Sequence, residues 1–195
     1  MPLGRFLAAA LRHPAIVGAI APSSCSLAAE LVRRADARPG QLVVEVGSGT
    51  GPMTRALAAA DPAFPRFAVE ALPEMAAATR RAAPGVEVVE GSAADLPRFL
   101  AERGLGPIDR IVSGLPFAAW PDGLQREVLD GILAALGPEG RMVTFTYAAS
   151  PLLPAGRRFR RLLERSFTRV TRGGTVWANL PPAFVYVCDG PQRGQ

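Results

Sequence analysis

Short apolar runs rich in β-branched residues alternate along this chain with longer segments of helical periodicity. The runs fall at Leu42–Val46, Arg66–Val69, Val86–Glu90, Arg110–Ser113, Gly140–Tyr147, Phe167–Val176 and Phe184–Cys188. Each is short and bounded by turn residues, which reads as a strand rather than a buried helix. Helices are expected to fill the gaps between the first five, giving an α/β domain whose mostly parallel sheet is covered on both faces. Asp61-Pro62 and Pro84-Gly85 mark loops, and Gly137-Pro138-Glu139-Gly140 predicts a turn before the fifth strand. Only Gly173 to Pro182 punctuates the region of the last two runs. That leaves no room for a long helix, so they are expected to form an antiparallel hairpin at the sheet edge.

Ahead of the first strand, Leu3, Phe6, Leu7, Ala10 and Leu11 repeat at helical spacing, with Arg5 and Arg12 set elsewhere. Such a helix can lie in a bilayer interface or pack on the domain. The organisation expected is an N-terminal helical extension over 1–24 and one α/β domain over 25–195. No repeat, low-complexity tract or interdomain linker interrupts it.

Composition changes this picture in three ways. At 195 residues the chain can bury the core of one ordinary domain. No run approaches the roughly 18 apolar residues of a spanning helix, and no secretory signal is evident, so a soluble or peripheral cytoplasmic protein is expected. Cys25 and Cys188 stand far apart without metal-ligand spacing, which favours free thiols over a disulfide and gives no metal site. The formal charge is +5, and apart from His13 every basic residue is arginine. Arginine grips phosphate bidentately, although codon usage in a GC-rich genome accounts equally well for the missing lysine. Arg157, Arg158, Arg160, Arg161, Arg165, Arg169 and Arg172 form a basic stretch that suits lipid phosphates or a solvated helix face.

The densest chemistry lies in Leu42 to Gly51. An apolar strand delivers Glu45, then Gly47, Ser48, Gly49, Thr50 and Gly51, before a helix begins. Glycines here let the chain turn sharply and leave no Cβ between main chain and ligand. A dinucleotide fingerprint would place its third glycine one position later. An acid just ahead of the first glycine would repel a pyrophosphate and suit a ligand carrying an ammonium group.

The segment resembles motif I of the class I S-adenosylmethionine-dependent methyltransferases, Asp/Glu-x-Gly-x-Gly-x-Gly. The resemblance implies a Rossmann-like fold with seven strands and a reversed last one. It also implies S-adenosylmethionine as cofactor and S-adenosylhomocysteine as product. Glu45, Gly47, Ser48, Gly49 and Gly51 would then line the cofactor. Glu70, with Ala71 beside it, ends the second strand and can accept both ribose hydroxyls. Ser92, Ala93 and Ala94 follow the third strand beside the adenine, but Gly91-Ser92 stands where many relatives have Gly-Asp. Asp95 reads as an N-cap of the next helix.

Ser113-Gly114-Leu115-Pro116-Phe117 resembles the Asn/Asp/Ser-x-x-Pro-Tyr/Phe motif of amino-group methyltransferases. Methyl transfer is an in-line displacement, so the acceptor nitrogen has to be held in line with the carbon–sulfur bond. Ser113, with the carbonyls of Gly114 and Leu115, can accept the amine's hydrogens, while Pro116 and Phe117 wall the pocket. Phe117, Trp120, Tyr147 and Trp177 are aromatic candidates for a cationic head. Tyr147 is best placed, at the end of the fifth strand, whereas Trp177 reads better as packing. No general base stands out: His13 could serve or could end a helix, and proton loss to water or lipid phosphate is the expectation.

Two more segments narrow the amine. His13 to Ser24 contains Ala21-Pro22-Ser23-Ser24, and Val176 to Ala183 contains Asn179-Leu180-Pro181-Pro182. With Ser113–Pro116 and Phe145-Thr146-Tyr147, they resemble the bacterial phospholipid N-methyltransferases over nearly the whole chain. That likeness implies Ser23 and Ser24 at the cofactor, Asn179 at the substrate, and stepwise methylation of phosphatidylethanolamine toward phosphatidylcholine. It implies phospholipid headgroups and an anionic membrane surface as partners, at the inner face of the cell membrane, with neither nucleic acid nor an obligate protein partner. The alternative is an rRNA adenine N-methyltransferase, which net basicity also suits. Those enzymes usually carry Asn at the position of Ser113 and an extra C-terminal helical domain.

Overall fold

A computed structural model describes residues 24–61, 63–64 and 66–192. The amphipathic pattern at 3–11, His13 and Ser23 lie outside them. The strands are β1 (Val43–Val46), β2 (Phe67–Glu70), β3 (Val88–Glu90), β4 (Ile108–Ser113), β5 (Leu136–Tyr147), β6 (Phe167–Val176) and β7 (Ala183–Pro191). The described helices are α1 (Cys25–Ala35), α2 (Pro52–Ala60), α3 (Pro73–Ala82), α4 (Leu96–Glu102), α5 (Asp122–Ala135) and α6 (Pro154–Ser166).

One seven-stranded sheet has the order β3-β2-β1-β4-β5-β7-β6. β1 to β5 pair in parallel, and β7 runs antiparallel to both β5 and β6. This is the Rossmann-like arrangement with a reversed last strand that the pattern and the first glycine motif led us to expect. The chain builds outward from β1 to β3 and then returns to place β4 on the other side of β1. Such a reversal opens a crevice at the carboxyl ends of β1 and β4, and the turns at Gly47–Gly51 and Gly114–Phe117 lie there.

Strand alternation sorts the core into two layers. The row Val44, Ile111, Met142 and Cys188 faces α4, α5 and α6, where Phe99, Leu129, Ile132 and Phe159 are buried. The next row, Glu45, Val112, Val143 and Val187, faces α1 and α2, with Leu27, Leu31, Met53 and Leu57. Glu45 thus occupies a position that its register reserves for a core side chain.

Two local readings need correction. The turn expected at Gly137–Gly140 lies inside β5, because Leu136 already pairs with Ile108 and pairing resumes only at Arg110 with Arg141. The intervening residues bulge out of the ladder without ending the strand. Asp95 sits at the start of α4 but makes no side-chain cap. Ser92 caps instead, accepting from Ala94 N at 3.1 Å in the short turn Ala93–Asp95.

Candidate active site

The glycine turn is shaped by backbone conformations that only glycine adopts cheaply. Gly47, Gly49 and Gly51 have φ of 74°, 57° and 86°. Gly47 N donates to Val69 O at 2.8 Å, and Gly51 N to Ser48 O at 2.9 Å, so the chain folds back over the ends of β1 and β2. A Cβ on Gly47 would lie 2.5 Å from Leu115 Cδ2. Its bareness therefore serves close contact with the loop after β4. At Gly49 a Cβ would meet nothing within 4 Å, so the turn is open on that side.

Thr79 of α3, which sequence reasoning passed over, pins the turn. Its Oγ1 donates to Gly49 O at 2.8 Å and lies 3.0 Å from Ser48 Oγ. With the threonine proton committed to Gly49, Ser48 is the donor of the second bond. A lone threonine on a helix gives no pattern by which to find it.

Two acids meet beneath this turn. Glu70 Oε2 accepts from Gly49 N at 2.9 Å and Oε1 from Leu72 N at 3.0 Å. Each oxygen keeps a second lone pair, so the carboxylate is locked in place with acceptor capacity left for a diol. Glu45 differs: it is wholly buried, and among the described residues neither of its oxygens has a hydrogen-bond partner. Burial pushes its carboxyl up to about 8; the nearby Thr54 hydroxyl offsets part of this without completing a hydrogen bond, and the Glu70 charge adds to it. An orphaned buried carboxyl needs an explanation. A ligand ammonium seated against the turn supplies one, and open space at Gly49 supplies the approach.

The second wall is the loop after β4. Ser113 is fully buried and its Oγ accepts from Leu115 N at 3.3 Å. Gly114 N donates to Val46 O at 2.8 Å, and a Cβ on Gly114 would strike the Gly47 carbonyl oxygen. The two turns are therefore one continuous surface. Leu115 O accepts from Phe117 N at 3.0 Å and Pro116 O from Ala119 N at 2.9 Å, which tightens the chain into the short helix Phe117–Ala119.

That tightening corrects the aromatic wall. Phe117 turns inward, fully buried, and stacks on Phe159 with centroids 5.1 Å apart and planes 9° from parallel. Trp120 packs on it at 5.1 Å and is 6% exposed, so both belong to the core beneath the loop. Gln125, a second residue the sequence did not flag, fixes the bend by donating to Phe117 O (2.8 Å) and Trp120 O (3.0 Å). Tyr147 stays half-buried at the carboxyl end of β5, edge-on to Phe145 at 5.8 Å. Burial raises its phenol, which keeps the ring neutral and available to a cation.

Other expected site residues have structural duties. Ser24 Oγ caps α1, accepting from Leu27 N at 3.2 Å. Ser24 N donates to Asn179 Oδ1 at 3.0 Å, and Asn179 Nδ2 to Pro181 O at 2.7 Å. Asn179 is thus a clamp joining the β6–β7 turn to the start of α1. Ala93 is buried in the core, while Ala71 and Ala94 are half-buried beside the crevice. Trp177 is 78% exposed rather than packed.

Residues 43–140 match the methyltransferase domain family. A curated relative, the ornithine lipid N-methyltransferase of Singulisphaera acidiphila, is 33% identical over 199 residues, covering 95% of this chain and 94% of that protein. This chain is a class I S-adenosylmethionine-dependent methyltransferase. Solved structures share the methyltransferase's fold. TrmN from Thermus thermophilus superposes with a TM-score of 0.60 at 23% identity, over 84% of this chain and 48% of that one. An O-methyltransferase from Bacillus cereus in complex with SAH gives 0.59 at 17% identity, over 95% and 89%. The methyltransferase's donor is S-adenosylmethionine, which supplies an electrophilic methyl on a sulfonium and leaves as S-adenosylhomocysteine. Glu45, Gly49 and Glu70 are the residues whose chemistry fits it, as counter-charge, bare backbone and diol acceptor.

Proposed function

We propose that this methyltransferase N-methylates the primary amine of a membrane lipid, with phosphatidylethanolamine as the acceptor and phosphatidylcholine as the end of the sequence. The likeness to an ornithine lipid N-methyltransferase along nearly the whole chain carries this reading, since it spans the acceptor-side loops as well as the donor domain. The same likeness favours an ornithine-type aminolipid as a second acceptor. Both lipids present an amine on a head carried by acyl chains, and the site chemistry addresses that amine.

Ser113 and the loop carbonyls offer acceptors fixed by their own hydrogen bonds, so a neutral amine is oriented through its N–H groups without reorganisation. Tyr147 offers a neutral aromatic face to the cationic head that forms, worth about 0.5–2 kcal/mol. The raised phenol excludes Tyr147 as the base at neutral pH. The amine's proton leaves to water or a headgroup phosphate, and rate rests on proximity and alignment. Among the described residues no helix is long and apolar enough to cross a membrane, which supports action from the surface of the bilayer.

Full-length protein with methyl-labelled S-adenosylmethionine is given three acceptors in parallel: vesicles with phosphatidylethanolamine, vesicles with an ornithine lipid, and ribosomal RNA. Label in either lipid supports the proposal and ranks the acceptors. Label in RNA with none in either lipid would overturn it in favour of nucleic-acid methylation.

A further inference from the structure

Outside the crevice, the large exposed apolar side chains among the described residues are Leu152 (78%), Leu153 (56%), Trp177 (78%) and Leu180 (81%). They lie in two loops that leave the same end of the sheet. Tyr147 pairs with Ala183 and Ala183 with Val176, so β5 and β6 end and β7 begins in one row. Immediately beyond it Ala148 N donates to Pro182 O at 2.8 Å, joining the loops at their base. Because β5 runs parallel to β1 and β4, this is the end where the crevice opens.

The surroundings are one-signed. Neither 140–163 nor 165–188 contains an Asp or Glu. Arg157 Nη1 donates to Leu152 O at 3.0 Å, so a guanidinium sits against the apolar tip itself. Arg158 and Arg160 pair with Asp122 and Glu164, whereas exposed Arg161 has no acid partner among the described residues. Leucines and a tryptophan at a tip, backed by arginines, match the layering of an anionic bilayer: acyl chains first, then phosphates.

We infer that these two loops are the membrane-docking face, inserting Leu152, Leu153, Trp177 and Leu180 into an anionic lipid surface with Arg157 and Arg161 on its phosphates. This deepens the lipid-methylating reading and rests on it. Docking there presents the open end of the crevice to the headgroup layer, so an amine reaches the site while its acyl chains stay in the bilayer.

The test uses the full chain and vesicles of phosphatidylcholine with phosphatidylglycerol, which carry no primary amine and so report docking without methylation. Trp120 is buried, so acrylamide quenching of emission reads Trp177. Vesicles should shift the emission to the blue and protect it from acrylamide. Leu152→Ser with Leu153→Ser and Leu180→Ser should weaken partitioning by at least about a hundredfold, and Arg157→Glu with Arg161→Glu should weaken it by about tenfold or more, only where phosphatidylglycerol is present. No vesicle binding, or binding that leaves Trp177 quenchable and the triple serine variant unaffected, would overturn the inference. Transfer to a short-chain phosphatidylethanolamine dispersed below its micelle concentration is measured alongside. Absence of transfer to this lipid and to a short-chain ornithine lipid dispersed in the same way refutes the function, while the vesicle result judges the surface.

Discussion

Replacing Glu45 by Gln separates two opposite consequences of one buried carboxyl. The group titrates at about 8 in the folded protein, against 4.5 ordinarily, chiefly because it is buried. The unfolded chain releases this proton near 4.5 and the folded protein only near 8. Between those values the folded state holds the extra proton, so stability declines as pH rises. At about 1.4 kcal/mol per pH unit, the loss amounts to about 5 kcal/mol above pH 8. Glutamine has the same shape and no charge, but its amide is left in a site that gives neither Glu45 oxygen a partner, at a cost of about 1–3 kcal/mol. Without ligand, Glu45→Gln should therefore be more stable than wild type by about 2–4 kcal/mol near pH 8.5 and no more stable near pH 4.5. Its affinity for S-adenosylmethionine should fall by about a hundredfold, through loss of a charge-assisted contact to the ammonium. Urea denaturation across this pH range reads the first effect and titration calorimetry the second. A variant less stable than wild type at high pH, or one that binds the cofactor equally well, would refute the reasoning.

The same turn and its supports make three shorter predictions. Gly47→Ala combines φ of 74° with a Cβ 2.5 Å from Leu115 Cδ2, and should reduce stability by about 2 kcal/mol or more; adding Leu115→Ala should recover part of that in thermal melts, and no recovery would show that backbone strain alone is responsible. Thr79→Val removes the partner of both Ser48 Oγ and Gly49 O, so cofactor affinity should drop about tenfold by calorimetry; unchanged affinity would mean the turn holds its shape without α3. Asn179→Ala breaks the bonds to Ser24 N and Pro181 O and should cost about 2 kcal/mol in urea denaturation, a cost under about 0.5 kcal/mol being incompatible with a clamp.

Much of this molecule was legible because its periodicities are strong. The run from Phe167 to Val176 is the strand as read, and the reversed hairpin followed from the seven residues, 177–183, between the last two runs. The two turns were found because glycine and proline are forced there by conformation and close approach. What the sequence hid was direction. Phe117 follows a proline in a pocket-forming motif, yet a hydrogen bond from its own N–H to Leu115 O winds the chain inward and stacks the ring on Phe159, forty-two residues away. Ser24 and Asn179 were grouped with ligand contacts because their segments resembled a family, whereas their polar atoms meet each other across 155 positions. Thr79 and Gln125 each act through two hydrogen bonds to nearby turns, a role that leaves no spacing to read. The exposed Trp177 was taken for packing because burial is the commoner fate of a tryptophan.

Methylation at a lipid amine is the central claim, and a blocked amine tests it most directly. Full-length protein, S-adenosylmethionine and anionic vesicles are incubated with phosphatidylethanolamine, with an ornithine lipid, or with the N-acetylated form of each, and the extracted lipids are read by mass spectrometry. Free-amine lipid should gain successive methyl groups on nitrogen, while the acetylated lipids remain unchanged. Methyl groups appearing on the acetylated lipids, or on none of the four lipids, would contradict it.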